Sequence, residues 1–188
     1  MNLIEKNKCA IILRSTLLRI REMTDTAFAN NIRDIIARLR YQSSHFRDCI
    51  ARKDMFSAQR ISADARPMLV SLFDYFRNEQ DHGRIPDSLM NDVFCPIIER
   101  VDLQSRDRMI SETAMDPAYP NLNDASLRKA LNKVAHPDPR NSKFRIDGDR
   151  HILVLSGPEQ NRERGYWVIE VDVQRLCDAC ANVLDRAC

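Results

Sequence analysis

At 188 residues, 44% hydrophobic and 30% charged, the chain is long enough for one domain around a substantial core. Its 29 Lys+Arg against 27 Asp+Glu leave a formal net charge of +2, too balanced to demand a nucleic-acid partner. Only four glycines occur, and neither GxGxxG nor GxxxxGKS/T is present, which excludes the two commonest nucleotide-binding loops.

No apolar run approaches the roughly 20 residues that span a bilayer. Glu5, Lys6, Lys8 and Arg14 interrupt any signal-peptide core, so a cytoplasmic protein without a membrane partner is expected. Cys9, Cys49, Cys95, Cys177, Cys180 and Cys188 then read as reduced thiols.

In chain order, residues 2–23 predict a moderately amphipathic helix, and Thr24-Asp25 a cap for the next. That second helix is the clearest. Phe28, Ile32, Ile35, Ile36, Leu39, Phe46, Cys49 and Ile50 keep helical spacing. Arg33, Arg40 and Arg47 make a basic stripe beside the seam, either a solvated face or a track for phosphates. A third helix starts near Asp54 and contains Pro67, which should kink it. Residues 78–86 read as a turn. A fourth helix is predicted from about Asp87 past Phe94, Ile97, Ile98 and Val101, reaching toward Ile110, with Pro96 bending it or marking its start. Residues 111–125 look like loop.

A short helix follows, with Leu127, Leu131 and Val134 on one apolar face. Asp124 or Ser126 can cap it, and His136-Pro137 ends it. The period then changes. Residues 144–146, 151–155 and 166–171 are β-branched and aromatic runs, with Asp147-Gly148-Asp149 as a tight turn between the first two. They predict an antiparallel meander over about 143–171. Asp172 caps a closing helix that carries Leu176, Cys177, Cys180, Val183 and Leu184 on one side. The expected fold is therefore mainly α: one domain over 1–188, a helical bundle with a small antiparallel β-meander near its C-terminus and a closing helix.

Little of this pattern carries chemistry. Cys177-x-x-Cys180 lies on a helix with the apolar set and lacks a second ligand pair, so it reads as packing. His45, His82 and His151 fit no metal-ligand pattern and read as surface or turn residues. Asp147 and Asp149 flank a turn, where Asp is expected. No nucleophile-elbow or zinc-helix signature occurs. Neither a metal nor a cofactor is expected.

Asn132-Lys133-Val134-Ala135-His136, at the end of a late helix after a helical bundle, resembles the HEPN superfamily. Ribonucleases of that family carry an Arg, a polar residue, three others and a His. Two such helices usually meet across a homodimer, where the His and Arg of both chains act on the RNA phosphodiester with the 2′-OH as nucleophile. Asn132 matches the polar position and His136 the histidine. Leu131 stands where the arginine belongs, with Arg128 one turn earlier and Lys129 and Lys133 nearby as substitute cations. The meander and closing helix look like an uncharacterised bacterial branch with NKxxH sequences. The resemblance implies a homodimeric, HEPN-like, non-catalytic module that binds RNA or a partner protein, in a bacterial stress or defence setting. The alternative it implies is a metal-independent endoribonuclease using Asn132 and His136 across the homodimer, with Arg128 or Lys133 supplying the missing charge.

Overall fold

The computed structural model describes residues 31–112, 115, 117–159 and 165–187. The helix expected over residues 2–23 and its Thr24-Asp25 boundary lie outside them. The chain divides into two units at Asp34/Ile35, and the larger, from Ile35 onward, is the subject below.

The larger unit opens on α1, helical over residues 35–51, as the apolar spacing predicts. Lys53, at φ 60°, turns the chain, and the Asp54 side chain accepts a hydrogen bond from Ser57 N at 3.1 Å to cap α2 (Met55–Asp81). A one-turn helix, α3 (Asp87–Met90), leads into strand β1 (Val93–Val101). Then come α4 (Leu103–Glu112), β2 (Leu122–Ser126), α5 (Leu127–Ala135), a 3₁₀ turn at Pro139–Asn141, β3 (Lys143–Asp147), β4 (Arg150–Pro158), β5 (Tyr166–Asp172) and α6 (Val173–Ala187). No described helix is long and apolar enough to cross a membrane.

The expected helical bundle is not what forms. The strands make a five-stranded antiparallel sheet in the order β2-β1-β5-β4-β3. The meander expected over 143–171 supplies three of its strands. The other two come from segments read as helix (87–110) and loop (111–125). Strand β1 lies near the middle, and its apolar spacing explains the misreading. Phe94, Cys95, Ile97, Ile98 and Val101 are buried, which matches a helix face as well as a strand. Two register shifts, at 93/95 and 98/101, break the strict alternation of a strand, and both faces of the sheet are covered. Pro96 is paired with Asp124 of β2, and the recorded β1–β5 pairing begins one residue later, at Ile97↔Ile169.

Successive residues of each strand face opposite ways. Ile152 and Val154 of β4 and Val168 of β5 pack with Met109 and Ile110 of α4. Their neighbours Leu153 and Leu155 face the other layer, where α5 and α6 pack on the sheet and α1 and α2 lie over them. The local signals read from sequence hold there. Gly148 takes φ 60° in the two-residue β3–β4 turn, a conformation open to glycine. Asp172 accepts from Gln174 N at 3.0 Å and Arg175 N at 3.1 Å and so caps α6.

The thiols of α6 are packing groups. Cys177 and Cys180 are 1% and 0% exposed, burial raises both of their pKa values, that of Cys177 to about 12, and no metal-holding cluster occurs among the described residues. Replacing both by Ala is expected to leave a folded protein that is less stable by about 1–3 kcal/mol, from lost packing alone. Elemental analysis of the wild type should find no zinc, and one zinc per chain would overturn that account.

Candidate functional site

Helix α5 forms where its signals placed it. The Ser126 side chain, not Asp124, accepts from Lys129 N at 3.3 Å. His136 is the C-cap, and its backbone N–H donates to Asn132 O at 3.2 Å. Leu127, Leu131 and Val134 are buried on one face as predicted, with Leu131 at 1% exposure.

The candidate side chains on this helix do not form one catalytic cluster. Asn132 and His136 are exposed, and among the described residues no hydrogen bond joins their side chains. The His136 ring meets Phe73 of α2 edge-on, with centroids 5.1 Å apart. Arg128 pairs with Asp81 at 3.3 Å, and Arg77 approaches the same carboxylate at 3.6 Å. Lys129 pairs with Glu99 at 2.7 Å. Lys133 sits 4.3 Å above the Trp167 ring, where burial lowers its pKa against the pull of Glu159 and Glu99. That stacking depends on Gly157, since a Cβ there would lie 2.5 Å from the indole. The basic stripe on α1 is similarly engaged. Arg40 pairs with Asp178 at 2.6 Å, and Arg47 donates to the Asp149 carbonyl.

The geometry with more chemical content lies elsewhere. A cavity of about 270 Å³ opens between α1, α2 and the sheet face carrying Leu153 and Leu155. Its walls are mainly apolar, with Leu39 and Phe46 from α1, Ile61 and Leu69 from α2, Phe144 from β3 and Val134 from α5. Into this wall the fold brings His151, a residue whose isolation in sequence suggested a surface or turn position. Its register opposite Ile146 puts it on the inward face of the β3–β4 hairpin. The imidazole stacks on Phe46, centroids 4.5 Å apart and planes 6° from parallel, and Nδ1 is 3.1 Å from Ser43 Oγ. Among the described residues, Nε2 is buried without a hydrogen-bond partner, and so is Gln42 Oε1. Burial first, and then the Arg47 charge, push the His151 pKa down to about 4, so the ring is neutral at physiological pH. Ser43 at helical spacing on the seam of α1 was the one sequence signal for a polar group inside this core. Its partner is 108 residues away.

No family model, curated protein or solved structure matches the chain.

Proposed function

We propose that this protein is a non-catalytic binding protein whose site is the cavity between α1, α2 and the sheet. One observation carries the reading: the fold leaves a cavity of about 270 Å³ with mainly apolar walls, in which the side chains of Gln42, Ser43 and His151 are grouped on one side. Concave, mainly apolar pockets with a few convergent polar groups are the usual form of small-molecule sites. A thermal-shift screen of small amphipathic compounds tests this. Binders should raise the melting temperature of the wild type. They should fail on Ala65→Trp, which fills the cavity from the α2 wall. Shifts that survive Ala65→Trp, or no binder at all, would remove the proposal.

A second reading, single-stranded RNA binding at the end of α5, is favoured by one feature. Arg77 and Arg128 share the single carboxylate of Asp81, and Arg77 lies 5.9 Å from the Phe73 ring that His136 also touches. The result is an exposed surface that carries two arginines beside Asn132 and His136. If RNA binds there, Arg77→Ala with Arg128→Ala should weaken it and flatten its salt dependence by about two phosphate contacts. We expect no RNA cleavage above a His136→Ala control. That variant should lose about 0.5–1.5 kcal/mol of stability, from the helix end and the Phe73 contact. Turnover by the wild type that vanishes in His136→Ala would restore the endoribonuclease.

A further inference from the structure

The sheet ends in two edge strands, and they differ in how well they are guarded against pairing with another chain. β2 reads Leu-Asn-Asp-Ala-Ser, and its pairing with β1 shifts register at 93/95. β3 has no proline, and its pairing with β4 runs through all five residues without a shift. The direction of its backbone groups follows from the hairpin. A two-residue turn is closed by a hydrogen-bonded pair, here Asp147 and Arg150. Bonded and non-bonded pairs alternate along an antiparallel ladder, so Arg145 and Lys143 also bond to β4. The N–H and C=O groups of Phe144 and Ile146 therefore point outward, away from β4. Among the described residues no other backbone group bonds to them. They form an open edge that can accept one more strand.

The side chains of β3 say which strand. Lys143, Arg145 and Asp147 share one face, and Phe144 and Ile146 share the other. Laid antiparallel against a copy of itself about a two-fold axis at Arg145, the strand is self-complementary. Lys143 meets Asp147 of the copy, at both ends. Phe144 meets Ile146 of the copy as a bonded pair, twice, so all four outward groups find partners. Arg145 meets its own copy, and its charge is already balanced by Glu170, whose two carboxylate oxygens it holds at 2.8 and 3.2 Å. Lys143 and Asp147 are exposed, Lys143 has no ion pair among the described residues, and Asp147 approaches Arg150 at 3.7 Å. Sliding the copies one way sets Lys143 against Arg145, a like-charge pair. Sliding them the other way sets Phe144 against Gly148 of the turn, and the apolar pair is lost.

We propose that β3 is an interaction surface for a second copy of this chain, the two β3 strands pairing antiparallel about Arg145 to join two five-stranded sheets into one, with Lys143 and Asp147 fixing the register. The contact is isologous, as closed two-fold symmetry requires. It is narrow, so the dimer is weak and depends on concentration. It uses the sheet edge and not α5, where the family resemblance would place a dimer contact.

The experiment is sedimentation velocity on the full chain, from micromolar to millimolar protein, without any ligand, so its result is independent of the cavity reading. The wild type should pass from monomer to dimer as concentration rises. Lys143→Glu and Asp147→Lys each place two like-charge pairs in the contact and should weaken the dimer about tenfold or more. Both positions are exposed, so the fold survives either change, which circular dichroism verifies. An equimolar mixture of the two variants should restore dimer of about wild-type strength, because every reversed charge then meets its opposite across the two-fold axis. A wild type that stays monomeric throughout would overturn the proposal. So would a dimer untouched by both substitutions, which would put the contact on another surface. Variants that both weaken the dimer and do not rescue each other would overturn the register.

Discussion

Leu131→Arg is expected to unfold the protein rather than turn it into a nuclease. The substitution writes an arginine into the position where HEPN ribonucleases carry one, two residues before Lys133 and five before His136. Leu131 is 1% exposed and sits with buried Leu127, Ala130 and Val134 on the core face of α5. A guanidinium there displaces a packed isobutyl group and finds no carboxylate position built for it. A buried, unpaired charge costs about 4 kcal/mol or more, against total stabilities of about 5–15 kcal/mol. Urea denaturation followed by circular dichroism should show the transition lost or moved to much lower denaturant. Asn132→Arg is the control. Its side chain is exposed on the same helix, so the change should stay within about 0.5 kcal/mol. A stable Leu131→Arg protein that cuts RNA would show that α5 can rotate its core face outward, and would revive the catalytic reading.

The second large effect is on the pH dependence of stability, and it belongs to His151. Its pKa is lowered from 6.5 to about 4 in the folded protein, by desolvation first and the Arg47 charge second, with Asp172 opposing. Above pH 6.5 the ring is neutral whether the chain is folded or not, and contributes no pH dependence. Below 6.5 the unfolded chain takes up the proton and the native state does not, so stability falls with pH until the folded ring titrates near 4. With one pKa unit equal to 1.36 kcal/mol, the loss attributable to this group between pH 7 and pH 4.5 is about 2.5 kcal/mol. Other carboxylates titrate over the same range, so the quantity to measure is a difference. The wild type should lose about 2.5 kcal/mol more than His151→Phe across that interval in paired urea titrations. Equal losses in the two proteins would mean that the ring is solvated, and would weaken the case for the cavity with it.

Several parts of this architecture are written locally. Ser126 caps α5 and Asp172 caps α6 because each offers a side-chain oxygen to backbone N–H groups two or three residues on. Asp147-Gly148-Asp149 turns β3 into β4 because glycine accepts φ 60° without strain. The burial of Leu127, Leu131 and Val134 follows from their spacing alone. It also settles, from sequence, that the fifth residue before His136 faces the core.

The sheet as a whole was not legible in that way. Strand β1 was read as helix because its two register shifts and two covered faces give buried residues a near-helical spacing. Strand β2 was read as loop because only Ala125 of its five residues is buried, so an edge strand of Leu-Asn-Asp-Ala-Ser carries almost no apolar signal. The cavity is further still from what a linear pattern can express. His151 looked like an isolated polar residue opening an apolar run. Only strand pairing decides that it shares a face with Ile146, and only the packing of α1 over that face sets Ser43 and Phe46 against it. Helix caps and turns depend on atoms within a few bonds of one another, so the sequence by itself determines them. A strand's face depends on register with its neighbours, and a cavity on how two layers fit, here through α1 contacts with a residue more than a hundred positions away, so both were decided by pairing and packing that a linear pattern does not carry.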